Sequence, residues 1–163
     1  MKKPDLVDEF IYEGDRISVK WYDVRNKSEI PDLPWQQIYV IGNYKNKVPI
    51  VLYENKGNNL PGGHVESGES LEMAMHREIK EELNMGVVSW VPLGYQRLSR
   101  PEDRDITFQF RVYAKLEKIG EFISDPGGSV IGHKLVELKD FNKSINYGKV
   151  GNRLIEQCSS YFN

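Results

Sequence analysis

Residues 60–85 read Leu60-Pro-Gly-Gly-His-Val-Glu-Ser-Gly-Glu-Ser-Leu-Glu-Met-Ala-Met-His-Arg-Glu-Ile-Lys-Glu-Glu-Leu-Asn-Met85, a glycine turn that feeds a carboxylate-rich helix. Leu71, Met75, Ile79 and Leu83 recur four apart with Ala74 beside them, the apolar stripe of a half-buried helix. On the other face Glu78 stands i,i+3 from Glu81 and i,i+4 from Glu82, so three carboxylates share about one turn of surface. Like charges at that spacing cost roughly 0.2–0.5 kcal/mol per pair in water, and Arg77, four before Glu81, is the nearby helical counter-charge. Taken alone, the helix fits a solvated glutamate face. The turn before it changes the balance. Gly62 and Gly63 let the backbone approach a ligand, and carboxylates, a backbone carbonyl and water make up the oxygen set that a hard divalent cation accepts.

The stretch resembles the Nudix hydrolase (MutT-like) family, whose signature is G-x5-E-x7-R-E-U-x-E-E-x-G-U, with U an aliphatic residue. Gly63, Glu69, Arg77, Glu78, Ile79, Glu81 and Glu82 match in register, and Met85 fills the last aliphatic place. Asn84 departs, standing where the family has glycine at the helix end. Asparagine is the commonest non-glycine in the left-handed conformation, so the cap is expected to survive. The resemblance implies an α/β fold: an α/β/α sandwich with a mixed central sheet. It covers the chain from about residue 35, leaving 1–34 as an N-terminal extension with a strand and 35–163 as the hydrolase domain.

Composition agrees with a compact enzyme. The 163 residues suit one domain, with 39% hydrophobic and 28% charged residues and a net charge of −2. That charge gives no basic footprint for duplex nucleic acid. Cys158 is the single cysteine, which excludes an internal disulfide and a cysteine metal cluster. The N-terminus has acidic residues where a secretory signal needs an apolar run, and no stretch reaches membrane-span length, so the expected location is the cytoplasm.

Along the chain, Ile17, Val19 and Trp21 alternate as a strand, either an edge of the main sheet or an arm packing on another subunit. Residues 26–34, with two prolines, read as a loop. Runs 35–43 and 48–54, separated by Tyr-Lys-Asn-Lys, predict a hairpin. Residues 87–98 are extended, with Pro92 and Gly94 interrupting, and a charged loop follows at 99–105. Ile106, Phe108, Phe110, Val112, Ala114 and Leu116 form the clearest strand pattern. A turn at 125–129, a strand at 133–138 and a helix at 148–161 complete the order.

The chemistry implied by the resemblance is hydrolysis of the diphosphate bond of a nucleoside diphosphate linked to another group. Mg2+, with Mn2+ as a substitute, would neutralise phosphate oxygens and acidify water. By position in the family, Glu81 and Glu82 are metal ligands, Glu78 a ligand or the base, and the Gly62 carbonyl a further ligand. Glu69 and Arg77 are a supporting pair. Asp125 or Glu121 is the candidate for a late-loop ligand, with solvated loop carboxylates as the competing reading.

Arg97, Arg100 and Arg104 either clamp phosphates or belong to an ordinary basic loop. His64 could touch a phosphate, whereas His76 and His133 read as structural or exposed. Trp35, Tyr39, Tyr95 or Tyr113 could stack a base, although strand aromatics are more often core. A proline sixteen residues past the signature, here Pro101, is associated in the family with ADP-ribose hydrolysis, and an N-terminal arm would suit a homodimeric ADP-sugar enzyme. The substrate expectation therefore leans to ADP-ribose or a sugar nucleotide. A nucleoside triphosphate pyrophosphohydrolase and a non-catalytic nucleotide sensor are the alternatives.

Overall fold

The architecture follows from two long strands that must bury both faces. A computed structural model describes residues 2–163. Its strands are β1 (Leu6–Tyr12), β2 (Asp15–Asp23), β3 (Gln37–Asn43), β4 (Val48–Tyr53), β5 (Gly62–His64), β6 (Met85–Arg100), β7 (Arg104–Lys118) and β8 (Val130–Val136). The helices are α1 (Leu71–Leu83), α2 (Phe141–Ile145) and α3 (Gly148–Cys158). A six-stranded sheet runs β1-β2-β6-β7-β3-β5, and β4 pairs with β8 in a second, two-stranded sheet. Only β3 and β7 pair in parallel among the described strands, so the main sheet is mixed.

Strand periodicity assigns the faces. Ile38 and Val40 of β3 and Phe110, Val112 and Ala114 of β7 pack with Met75, Ile79 and Leu83 of α1. Tyr39, Ile41 and Tyr113 point the other way, into a core with Trp21, Val150, Leu154 and Cys158 under α3. Helices on both faces of one mixed sheet make the α/β/α sandwich.

Two expectations are revised. The predicted hairpin over 35–54 keeps its turn, where Tyr44 and Lys47 exchange backbone hydrogen bonds at 3.0 Å, but its strands diverge. β3 lies between β7 and β5 in the main sheet, while β4 pairs with β8 in the second. The N-terminal segment supplies two strands rather than one. β1 and β2 form a hairpin over Glu13 (φ 49°) and Gly14 (φ 83°), and β2 pairs with β6, so this segment extends the sheet edge.

Helix α1 is capped at both ends, the Asn84 end as the sequence implies. Ser70 Oγ accepts from Met73 N at 3.1 Å at its start. Asn84 closes it at φ 51°, ψ 46°. The Asn84 amide also donates to Glu121 O at 3.0 Å, and its backbone carbonyl accepts from Ile119 N at 3.1 Å. Asn84 therefore ties the helix end to the loop after β7, a bond glycine would lack. Asn84→Ala should lower stability by about 1–2 kcal/mol in urea unfolding, from left-handed strain and the lost bond. An unchanged midpoint would reject this role.

Candidate active site

Five carboxylates line one cleft, Glu66 of the turn among them. Glu78, Glu81 and Glu82 of α1 line it together with Gly62, Gly63 and Asp125, the last from the loop before β8. The glycine turn permits this approach. Gly62 (φ 143°) packs so tightly on β3 that a Cβ would stand 2.1 Å from Ile38 O, and a Cβ on Gly63 would meet Glu78 Oε1 at 2.6 Å.

Glu82 is 3% exposed, and its Oε1 accepts from Gly62 N at 2.6 Å. Burial, reinforced by the charges of Glu78, Asp125 and Glu81 against the Gly62 hydrogen bond, pushes its carboxyl up to about 8. Burial also raises Glu78, opposed by Arg77.

Arg77 is the organiser of the turn. Its Nε and Nη2 donate to the two oxygens of Glu69 at 2.7 and 3.0 Å, a bidentate pair. Nη2 also donates to His64 O at 2.9 Å, and Nη1 reaches Glu78 Oε1 at 2.9 Å and Glu81 Oε2 at 3.4 Å. The Arg77 hydrogen bonds, followed by that from Glu66 N, pull the Glu69 carboxyl down to about 2. The expected supporting pair thus joins the 64–69 turn to α1, and Arg77 partly neutralises two cleft carboxylates.

The remaining candidates separate clearly. Glu121 pairs with Lys118 outside the cleft, whereas Asp125 lines it. Arg97 pairs with Asp103 at 3.2 Å. Arg100 bonds Asp15 and Glu13, and Arg104 Nε donates to Pro101 O at 3.2 Å. None of these arginines lines the carboxylate cleft, so the phosphate-clamp reading is corrected: acids of the loop and of the β1–β2 turn, with the Pro101 carbonyl, hold them instead. His64 lies at the cleft, His76 is exposed near Glu72, and His133 packs edge-on against Phe122. Of the aromatic candidates only Tyr39 and not Trp35, Tyr95 or Tyr113 reaches the cleft; Trp35 packs on Tyr95 and Phe110, and Tyr113 stacks on Tyr161.

A second hollow of about 470 Å³ adjoins the first and shares Tyr39 and Asn59 with it. It lies on the α3 side of the sheet, lined by Gln96, Gln109, Arg111 and Tyr147 among others. The sequence reading missed it. Its one available signal was Arg111, a charge set among the apolar residues of the clearest strand.

No three acidic, histidine or cysteine groups among the described residues already close on a single point as metal ligands do. Glu82 is turned to Gly62 N, and Glu78 and Glu81 lean on Arg77. The donor set nonetheless fits a hard divalent cation. Carboxylates outnumber the cations in the cleft, and burial together with mutual repulsion raises one of them, a cost that a cation would relieve.

A NUDIX domain model matches residues 38–157. The Bacillus subtilis protein YtkD, provisionally named an 8-oxo-dGTP diphosphatase, is 32% identical over 113 residues, covering 69% of this chain and 71% of its own. The fold resembles a Bacillus subtilis pyrophosphohydrolase, BsRppH, with TM-score 0.61 and 25% identity over 78% of this chain and 76% of that one. A NUDIX hydrolase from Nitrosomonas europaea superposes with TM-score 0.62 at 17% identity, covering 80% and 92% of the two chains.

Proposed function

This chain belongs to the Nudix hydrolase family, and on that premise we propose that it is a divalent-metal-dependent nucleoside triphosphate pyrophosphohydrolase, releasing a nucleoside monophosphate and pyrophosphate. One observation carries the reading: the carboxylate cleft shares Tyr39 and Asn59 with a neighbouring hollow of a volume that suits a nucleoside. The polyphosphate would lie over the glycine turn and the nucleoside in the hollow. The name of YtkD supports a nucleoside triphosphate substrate, and that of BsRppH a pyrophosphohydrolase reaction.

Glu81 and Glu82 would hold Mg2+ or Mn2+, with Glu78, Asp125 and the Gly62 carbonyl completing the oxygen set. The cation supplies neutralisation of phosphate oxygens and a more acidic water. Water oxygen forms the new bond to phosphorus, the bridging P–O bond breaks toward pyrophosphate, and a carboxylate of the set takes the proton. Arg77 and Glu69 keep the turn in register while the charges rearrange.

Two readings are less well supported. Pro101 is exposed in the turn between β6 and β7 and lines neither hollow, so the hint of ADP-ribose gains nothing from its position. A silent sensor would have no need of every signature carboxylate. The test is a substrate panel with Mg2+: the proposal expects monophosphate and pyrophosphate from at least one nucleoside triphosphate. Faster cleavage of ADP-ribose or a sugar nucleotide than of every triphosphate would overturn it.

A further inference from the structure

The second hollow contains a buried cation without an anionic partner. Arg111 is 2% exposed, and its Nε has no hydrogen-bond partner. Its other contacts are neutral: Nη1 to Phe110 O at 3.3 Å, Nη2 to Gln109 Oε1 at 3.1 Å, and the faces of Tyr39 and Tyr147 at 4.6 and 5.3 Å from the guanidinium carbon. A buried guanidinium left with unpaired donors is costly, and such groups are retained where something else completes them.

Arg111 also sets the polarity of its neighbours. Gln96, Gln109 and Gln37 stand opposite one another on β6, β7 and β3. A guanidinium can only donate, so the Gln109 group facing it must be the carbonyl oxygen. That same oxygen accepts from Gln96 Nε2 at 2.6 Å, and Gln109 Nε2 donates to Gln37 Oε1. The chain of bonds leaves Gln96 Oε1 as a spare acceptor in the hollow that Arg111, with its unpartnered Nε, also lines.

We infer that Arg111 and Gln96 are specificity residues that select bases carrying a carbonyl beside a ring N–H, as in guanine, hypoxanthine and uracil, over the amino bases adenine and cytosine. The keto edge presents an acceptor to Arg111 and a donor to Gln96. The amino edge reverses both, leaving donor against donor and acceptor against acceptor. Tyr39 and Tyr147 border the same space and offer flat surfaces to the ring. This inference rests on the nucleoside lying in the second hollow, as proposed above, and extends that reading to the base.

Metal-free binding separates the two claims. IMP and AMP differ only at the edge in question, as UMP and CMP do in the smaller ring, so each pair is titrated calorimetrically in EDTA. Wild type should bind IMP at least tenfold more tightly than AMP and UMP more tightly than CMP. Arg111→Met should bring the IMP/AMP ratio to within about threefold. Gln96→Met, which removes the acceptor, should do the same and decides the matter if Arg111→Met does not fold. Equal binding of IMP and AMP by wild type, no detectable binding of IMP, or an unchanged ratio in the folded variants would overturn the inference. Hydrolysis of triphosphates without base preference would sink this inference alone. Keto-selective binding without hydrolysis of any triphosphate would instead sink the hydrolase reading.

Discussion

Glu82→Gln should reduce Mg2+-dependent hydrolysis about 1000-fold while making the metal-free protein more stable at pH 8. The rate loss corresponds to about 4 kcal/mol of transition-state stabilisation, the scale expected when a metal ligand is neutralised. The gain in stability follows from proton linkage. The Glu82 carboxyl is raised from an ordinary 4.5 to about 8, so it holds its proton more tightly folded than unfolded. Its contribution is fully present below pH 4.5 and is lost progressively as pH rises from 4.5 through 8. Glutamine mimics the neutral acid and keeps an oxygen for Gly62 N, so it escapes that loss. In EDTA the variant should melt on the order of 5 °C above wild type at pH 8 and level with it at pH 4. Mg2+ should raise the wild-type melting temperature at pH 8 and leave that of the variant unmoved. A variant that melts lower than wild type at pH 8 would show that the carboxylate stabilises the fold rather than straining it.

The second large effect concerns Arg77. Arg77→Met should lower stability at pH 7 by about 2 kcal/mol, because Glu69 loses a bidentate partner and Glu78 loses its counter-charge in a half-buried setting. Hydrolysis should fall roughly 100-fold, since the turn carrying Gly62 and Gly63 is then held less firmly against α1. Glu69 is depressed from 4.5 to about 2, so the stability it contributes with Arg77 is present above pH 4.5 and lost as pH falls through 2. The melting difference between wild type and variant should therefore narrow in acid. A double-mutant cycle with Glu69→Gln should give a coupling of at least 1 kcal/mol. Additive effects of the two changes would refute the pair's joint role.

Some of this was legible in the sequence because it is local. The α1 stripe, the Asn84 end and the carboxylate spacing are fixed by helical geometry over one short stretch, and the structure has them there. Asp125 could be named only as one of two candidates, because loop length, not periodicity, decides which acid reaches the cleft. The hairpin at 35–54 misled because the turn is a local property whereas pairing is not: β4 finds β8 some eighty residues later. Strand β1 gave little signal because most of its side chains are exposed at the sheet edge, so no alternation marks it. Arg100 looked available since its acidic partners Glu13 and Asp15 lie far away in sequence. Arg111 shows the converse. A charge in an apolar strand was visible, but its neighbours Gln96, Gln37 and Tyr147 come from three other elements or connections, and only the fold brings them together.

In the proposed function, Glu78, Glu81, Glu82 and Asp125 form one cation site. Titration of Mn2+ into the protein at pH 8, followed by the electron paramagnetic resonance signal of free Mn2+, measures it most directly. The account predicts saturable loss of that signal with wild type, competition by Mg2+, and little loss with Glu81→Gln or Glu82→Gln. Equal uptake by wild type and both variants, or no uptake by wild type, would contradict it.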